Sequence, residues 1–228
     1  MKTFNVGLFD SGVGGIKVLE RLVKEYPFFN FVYLFDKSGL PYGDKSTVQL
    51  NDRALKAVEF LKSQRCEVII VACNTQTVAS LECLKSRAQV KVYGVLPPIQ
   101  TALNDGKRKI LVMATPYTVN SVNSIIINDN LKARLIFAPQ PNLAQIVEYN
   151  LHKKEVVDEY VENLYRTYST CVDSIVLGCT HYYYLKNQLE TRFGVKVYDG
   201  VDNLLAEINK DVQCVGGLRG GNVRFFYS

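Results

Sequence analysis

Two stretches of the chain decide the fold: Val68-Ile-Ile-Val-Ala-Cys-Asn-Thr75 and Ser174-Ile-Val-Leu-Gly-Cys-Thr-His181. Each reads as a short apolar strand, a small residue, a cysteine and polar residues that open a helix. Near-continuous apolar strands are typical of a parallel sheet covered by helices on both faces. The repeat therefore predicts two similar α/β units, with Cys73 and Cys179 at equivalent strand ends.

Further strands and helices extend this pattern along the chain. Short apolar strands are predicted at residues 5–9, 31–35, 92–93, 110–113 and 134–137. Helical spacing of apolar residues occurs at Val48, Leu55, Val58 and Leu61, and again at Val156, Val157, Tyr160, Val161 and Leu164. The Gly94-Val-Leu-Pro-Pro98 stretch is a plausible crossing point between two halves of roughly one hundred residues each.

Composition excludes several classes of protein. Of the 228 residues, 47% are apolar and 21% charged, which is typical of a globular chain in water. No apolar run approaches eighteen residues and no signal peptide precedes the first strand, so we expect a cytoplasmic protein without a membrane span. The net charge of +5 is small for a nucleic-acid binder, so no nucleic-acid partner is expected. Six cysteines without a CxxC pair, beside two histidines, argue against a metal site.

The two strand-end cysteines carry the first functional hypothesis. A thiol at a helix N-terminus is stabilised as thiolate by the helix dipole and the free backbone N–H groups, and can act as a base or nucleophile. The alternative is a buried thiol that packs as a small apolar side chain. We assign that alternative role to the remaining cysteines, which are Cys66, Cys83, Cys171 and Cys214.

Polar residues follow the other strands as well. Asp10-Ser-Gly-Val-Gly-Gly15 lacks the spacing of a dinucleotide loop, and favours a small carboxylate or phosphate ligand or a simple strand-to-helix turn. Pro41-Tyr-Gly43 reads as a turn whose aromatic ring could cover a ligand. Uncharged donors near strand ends suit carboxylate and ammonium groups, although each could instead cap a helix; they are Asn74, Thr75, Thr115, Thr118, Ser121 and Thr180. His181 could tune a thiol, whereas His152 reads as a surface residue.

Taken together, four blocks resemble the glutamate racemases of bacterial cell-wall synthesis. They are Phe9-Asp-Ser-Gly-Val-Gly-Gly15, Pro41-Tyr-Gly43, Val71-Ala-Cys-Asn-Thr75 and Leu177-Gly-Cys-Thr-His-Tyr182. The resemblance runs from about residue 5 to residue 200. It implies two pseudo-symmetric, Rossmann-like α/β domains with mainly parallel sheets and an active site in the cleft between them. Residues 1–95 with about 208–228 would form the first domain, and residues 96–207 the second.

The resemblance also implies a mechanism that needs no cofactor and no metal. Cys73 would be the base for D-glutamate and Cys179 the base for L-glutamate, each acting as the acid in the reverse direction. Asp10 and His181 would assist Cys73 and Cys179, and Glu148 matches a further family acid. The matched substrate-binding positions are Asp10, Ser11, Pro41, Tyr42, Gly43, Cys73, Asn74, Thr75, Thr115, Thr118, Cys179, Thr180 and His181. The product would supply peptidoglycan synthesis, and a homodimer is expected.

Some positions depart from the family pattern. Gln76 stands where a small residue is usual, Tyr183 where a proline is usual, and Pro97 where an acidic residue is common. Upstream of Glu148, residues 143–145 replace an aromatic-Val-Pro pattern. Three alternatives therefore stay open: a racemase acting on aspartate or on both acids, a glutamate-binding regulatory protein without turnover, and a moonlighting DNA gyrase inhibitor, for which the dispersed charge gives little support.

Overall fold

The computed structural model describes residues 4–126, 128–211 and 220–228. Its elements, in chain order, are β1 (Asn5–Asp10), α1 (Ile16–Glu25), β2 (Asn30–Phe35), α2 (Thr47–Ser63), β3 (Val68–Val71), α3 (Asn74–Arg87), β4 (Lys91–Gly94), α4 (Ile99–Asn104), β5 (Ile110–Ala114), α5 (Pro116–Ile125), α6 (Asp129–Lys132), β6 (Leu135–Pro139), α7 (Leu143–Asn150), α8 (Lys154–Tyr168), β7 (Ser174–Gly178), α9 (Lys186–Phe193), β8 (Lys196–Tyr198), α10 (Val201–Asp211) and β9 (Val223–Tyr227). Short 3-10 segments span Val13–Gly15, Lys37–Gly39, Tyr42–Asp44 and Thr180–Leu185.

The chain divides into two compact units. Unit 1 comprises Met1–Val95 and Val201–Ser228, and unit 2 comprises Leu96–Gly200. Each unit contains its own parallel sheet with helices beside it, so the predicted α/β class with parallel sheets is confirmed.

Unit 1 is built on a five-stranded sheet in the order β4-β3-β1-β2-β9. All four strand pairs are parallel, with Phe9 of β1 opposite Val71 of β3. The helices α2 and α3 pack their apolar side chains on this sheet, where Val58, Leu61 and Leu84 are buried. Burial of such side chains is the main stabilising contribution to a core of this kind.

Unit 2 is built on a four-stranded parallel sheet in the order β6-β5-β7-β8. Helix α5 begins directly after β5, because the Thr115 hydroxyl caps the helix and Pro116 occupies its first turn. At the neighbouring strand end, Ala114 lies opposite Gly178, the last residue of β7. A Cβ atom on Gly178 would lie 2.7 Å from the Ala114 Cβ, so the strand ends fit only with glycine at this position.

The two sheets share one topology. Unit 1 orders four of its strands β4-β3-β1-β2, and unit 2 orders its strands β8-β7-β5-β6. The third strand of each unit therefore neighbours the first, and Cys73 and Cys179 follow these equivalent strands. Strand β9 adds a fifth strand beside β2.

The second predicted domain boundary lies too late in the chain. Residues 201–207 were predicted in the second domain, but α10 belongs to unit 1 from its first residue. Its side chains bind there: Asp202 pairs with Arg21, and Asn209 accepts a hydrogen bond of 2.7 Å from the Tyr26 hydroxyl. The two members of each pair are about 180 residues apart in sequence, so the pattern of residues within α10 does not reveal that this helix belongs to unit 1.

Some local predictions are wrong in detail. Val48 lies in a helix as its spacing predicts, but in the first turn of α2 it is 78% exposed. Cys66 is buried as predicted, whereas Cys83 and Cys171 are only partly buried because their positions lie near the unit surface. Cys214 lies outside the described residues. His152 is exposed, as predicted.

Among the described residues, no helix has the length and apolarity needed to cross a membrane.

Candidate active site

Cys73 lies between β3 and α3, at the carboxyl edge of the unit 1 sheet. Its side chain is buried, and its extended backbone makes it the N-cap of the 14-residue helix α3. The Cys73 carbonyl accepts hydrogen bonds of 2.9 Å from both the backbone N–H and the hydroxyl of Thr77. The strand-to-helix junction is therefore fixed, with the thiol at the positive end of the helix dipole, where a thiolate is favoured.

Asp10 ends the strand next to β3, and it is fully buried. Its Oδ1 accepts hydrogen bonds from the Ser11 hydroxyl at 3.3 Å and from the Gly12 N–H at 3.2 Å. The glycine loop, predicted to present its amides to an anionic ligand, thus uses one of them on its own aspartate. A Cβ atom on Gly15 would lie 2.8 Å from the Asp10 Cβ and collide with the Tyr33 hydroxyl, so glycine is required there.

Asn74 and Thr75 open α3 and are both buried. The Asn74 side chain donates a hydrogen bond of 3.1 Å to the Val95 carbonyl through Nδ2. Its Oδ1 is buried and has no hydrogen-bond partner among the described residues. A buried amide oxygen without a partner is costly, and it is well suited to accept a hydrogen bond from a ligand N–H group.

The Tyr42 side chain lies in the interior of unit 1. It is 2% exposed, and its hydroxyl donates a hydrogen bond of 2.6 Å to Oδ2 of Asp36. Burial raises the pKa of Tyr42 well above its ordinary value, and the negative charges of Asp36, Cys73 and Asp10 raise it further. Tyr42 therefore stays a neutral hydrogen-bond donor, and Pro41 and Gly43 beside it are only half-buried.

In unit 2, Cys179 follows β7 and is 4% exposed. It precedes the 3-10 segment Thr180–Leu185, and the α-helix begins only at Lys186. The predicted α-helix N-terminus is thus found at Cys73 but not at Cys179. The reason lies in the segment itself, whose side chains make long-range contacts: the Tyr182 hydroxyl donates a hydrogen bond of 3.0 Å to the Gln140 carbonyl.

A histidine and a carboxylate lie beside Cys179. Its Sγ is 3.9 Å from Nδ1 of His181, and Nε2 of His181 is 2.8 Å from Oε2 of Glu148 on α7. Both side chains are buried. Because the Glu148 carboxylate can only accept, the hydrogen bond requires a proton on Nε2 of His181. In the neutral imidazole, Nδ1 is then unprotonated and faces the sulfur as a proton acceptor. The arrangement can therefore move a proton to or from the thiol.

The threonines of unit 2 gather at the same sheet edge. Thr115 follows β5, and its hydroxyl donates to Thr118 Oγ1 at 3.1 Å and accepts from the Thr118 N–H at 3.3 Å. Thr115 thus caps α5, which is the alternative considered for a single hydroxyl. Thr118, in the first turn of α5, is buried, and so is Thr180, which follows Cys179 after the adjacent strand β7.

Two of the family departures make hydrogen bonds within their own units, although the buried Gln76 Oε1 has no partner among the described residues. The Gln76 side chain is buried and donates hydrogen bonds to the Leu50 carbonyl at 2.9 Å and to the Ser80 hydroxyl at 2.6 Å. The Tyr183 hydroxyl accepts a hydrogen bond of 3.3 Å from the Gly200 N–H. Across the described ranges, no three His, Cys, Asp or Glu side chains are grouped to hold a metal ion.

Comparison with known proteins decides the family. The family model described as Asp/Glu/Hydantoin racemase matches residues 11–208.

The chain belongs to the Asp/Glu/hydantoin racemase family.

Curated relatives of this racemase include glutamate racemases from Clostridium acetobutylicum and Campylobacter concisus. The first is 30% identical over 96% of this chain and 90% of its own length, and the second is 33% identical over 98% and 89%. The crystal structure of a glutamate racemase from Bacillus anthracis superimposes with a TM-score of 0.85 and 27% identity, over 100% of this chain and 89% of that one. The expected resemblance and the racemase class of enzyme are thus confirmed.

Asp36 and Arg53 contact the side chain of Tyr42, one of the predicted substrate-binding residues. Asp36 follows β2, and Arg53 lies on α2. These contacts join three neighbouring segments, the end of β2, the loop at residues 41–43 and α2, so the periodicity of any one segment does not show them. The available signal for Asp36 was its position directly after the second predicted strand, because the other strand ends also carry polar residues.

Proposed function

We propose that this racemase interconverts L- and D-glutamate through the thiols of Cys73 and Cys179. The observation that carries the proposal is the repeated placement of a buried thiol after the third strand of each unit. Asp10 ends the strand adjacent to the Cys73 strand, while His181 and Glu148 lie beside Cys179. Inversion at Cα needs one group to remove a proton and a second group to return one to the opposite face.

The proton balance follows from this pair. With D-glutamate, the Cys73 thiolate removes the Cα proton, and the electron pair of the broken C–H bond stays on the substrate as a carbanion conjugated with its carboxylate. The Cys179 thiol then donates its proton to the opposite face, which yields L-glutamate, a Cys73 thiol and a Cys179 thiolate. L-glutamate reacts in the reverse sense. His181, oriented by Glu148, is proposed to assist Cys179, and Asp10 to assist Cys73.

The substrate is proposed to bind through uncharged donors and one orphaned acceptor. The Asn74 Oδ1, which lacks a partner among the described residues, suits the substrate ammonium group. Ser11, Thr75 and the loop at residues 41–43 suit one carboxylate, and Thr115, Thr118 and Thr180 suit the other. Donors placed in a water-poor site stabilise the negative charge that develops during proton removal.

Glutamate is the proposed substrate because relatives named glutamate racemases match nearly the whole chain. We further propose that the enzyme acts without a cofactor, as a homodimer, and supplies D-glutamate for peptidoglycan. Size-exclusion chromatography with light scattering tests the dimer: a mass of about twice the 25.7 kDa of one chain is expected, and a mass of one chain would refute it.

The function is tested with purified protein and no added cofactor. Circular dichroism of L-glutamate should decay to zero, and that of D-glutamate should decay to zero from the opposite sign, because the product is a racemate. L- and D-aspartate are the comparison substrates. If only aspartate is racemised, the protein is an aspartate racemase and the glutamate assignment is wrong. If glutamate binds but none of the four amino acids is turned over, a regulatory protein is favoured.

A further inference from the structure

A partly buried ion pair adjoins the 41–43 loop in unit 1. Asp36 follows β2 and is 5% exposed, and Arg53 reaches it from α2. Arg53 Nε donates to Asp36 Oδ2 at 2.7 Å, and Arg53 Nη2 donates to Oδ1, so the pair is bidentate. The Ser228 hydroxyl donates to Oδ1 at 2.6 Å from the end of β9. Paired geometry of this kind is the strongest form of a charged hydrogen bond in proteins.

The same carboxylate holds the 41–43 loop through one side chain. The Tyr42 hydroxyl donates to Asp36 Oδ2 at 2.6 Å, and the tyrosine is buried. A Cβ atom on Gly39 would lie 2.5 Å from Arg53 Nε and 2.6 Å from both Asp36 Oδ2 and Tyr42 Cε1. The chain thus closes tightly around this cluster, which leaves the tyrosine little freedom to move.

Asp36 has no free oxygen for acid–base work. Its two oxygens accept hydrogen bonds from Arg53, Tyr42 and Ser228. Burial acts to raise the pKa of Asp36, but the hydrogen bonds from these groups and the charge of Arg53 outweigh it and hold the pKa below its usual value. An ionised carboxylate with saturated oxygens orients its donors and does not accept a proton from a substrate.

We propose that Asp36 and Arg53 are positioning residues that hold the Tyr42 hydroxyl and thereby keep the backbone of residues 41–43 in place for the substrate carboxylate. The Asp36 carboxylate links this loop to α2 through Arg53 and to β9 through Ser228. The proposal rests on the proposed function, because it takes the 41–43 loop as part of the glutamate site. It concerns binding, so its effect is expected in KM more than in kcat.

The test compares Arg53→Gln and Tyr42→Phe with Lys56→Gln. Lys56 is on the same helix, and its ion pair with Asp52 is exposed, so this variant removes one cation without touching the cluster. Loss of one or two such hydrogen bonds is expected to raise KM for both enantiomers about 3- to 30-fold, with kcat within about threefold of wild type. The change should be constant between pH 6 and 9, because no group that titrates there is removed. Lys56→Gln should match wild type.

Two features keep this test decisive. Tyr42→Phe removes only a hydroxyl group, and Ser228→Ala removes only one hydrogen bond to Asp36. Either variant can therefore replace Arg53→Gln in the test if circular dichroism shows that Arg53→Gln is not folded. A merely structural role would lower kcat through loss of folded enzyme and leave KM unchanged. Unchanged KM in the folded variants overturns the positioning proposal while the proposed function stands. Absence of glutamate turnover by wild-type protein overturns the proposed function, and this proposal with it.

Discussion

Nε2 of His181 lies 2.8 Å from Oε2 of Glu148, and both side chains are buried. The two residues are 33 positions apart, on the 3-10 segment after β7 and on α7. Because Nε2 is hydrogen-bonded to the Glu148 carboxylate, the imidazole ring is held with Nδ1 toward the Cys179 thiol. This contact gives Glu148 a defined place in the site even though residues 143–145 before it depart from the family pattern.

Replacement of Glu148 by glutamine should therefore impair proton transfer at Cys179. The amide is isosteric but neutral, and it no longer stabilises a positive imidazole, so kcat/KM is expected to fall about 10- to 100-fold. The fall must be the same in both directions, because the two enantiomers have equal free energy in water. The measurement is initial rates with L- and D-glutamate.

The control for this prediction is Glu155→Gln, which removes the same charge from an exposed position of unit 2. It should keep wild-type rates. Wild-type kcat/KM in Glu148→Gln would show that the Glu148–His181 contact has no part in proton transfer.

Gly15→Ala should disturb Asp10 and destabilise unit 1. The added methyl group would meet the Asp10 Cβ and the Tyr33 hydroxyl, which themselves pack in the interior. Overpacking of this kind costs about 1–3 kcal/mol of unfolding free energy. Urea denaturation measures the loss, with Gly220→Ala as the matched control because nothing lies within 4 Å of its Cβ position. Equal midpoints for the two variants would show that the close approach at Gly15 has no energetic consequence.

Cys66 should resist alkylation in the native protein. Burial raises the pKa of Cys66 to about 11, so very little thiolate exists at pH 7.5. Mass spectrometry after brief iodoacetamide treatment should find Cys83 and Cys171, which are partly exposed, modified before Cys66. Cys66→Ala should leave glutamate turnover unchanged. Rapid labelling of Cys66 in folded protein would refute its assignment as a structural thiol.

Asp36 should contribute stability that disappears in acid. Its pKa is lowered on folding, so its contribution is fully present above its unfolded value near 4 and is lost as the pH falls through the lower folded value. Asp36→Asn is expected to reduce the unfolding free energy at pH 7 by about 1–3 kcal/mol, because the Arg53 guanidinium loses its charged partner. The difference between variant and wild type should shrink below pH 4 in urea titrations. A difference that stays constant from pH 7 to pH 3 would contradict this linkage.

The strands could be predicted from the sequence because each one is a short apolar run that can be recognised without its partners. Residues 68–71 and 110–113, for example, are strands in the structure at those positions or one residue longer. Strand β8 is not predicted by the apolar pattern, because it has only three residues and begins with an exposed lysine. The polar residues after the strands could be listed in advance, since parallel strands bring their carboxyl ends to one edge of a sheet.

Side-chain direction and long-range pairing could not be predicted in the same way. The Tyr42 hydroxyl donates a hydrogen bond to the buried carboxylate of Asp36, six residues earlier, and no pattern of spacing indicates this contact. The 3-10 segment after Cys179 is joined to the end of β6 by a hydrogen bond between Tyr182 and Gln140, 42 residues apart. Spacing and periodicity describe neighbours along the chain, so contacts of this kind appear only in the folded structure.

The central claim is that two thiols share one inversion, and Cα hydrogen exchange with single-cysteine variants tests it most directly. Proton NMR in deuterium oxide follows the Cα hydrogen of L- and D-glutamate, and chiral chromatography follows the enantiomers. Wild-type protein should exchange the Cα hydrogen of both enantiomers and racemise both. Cys73→Ala and Cys179→Ala, checked for folding by circular dichroism, should each abolish racemisation, while Cys66→Ala retains it. Racemisation at wild-type rate by either active-site variant would contradict the two-base account.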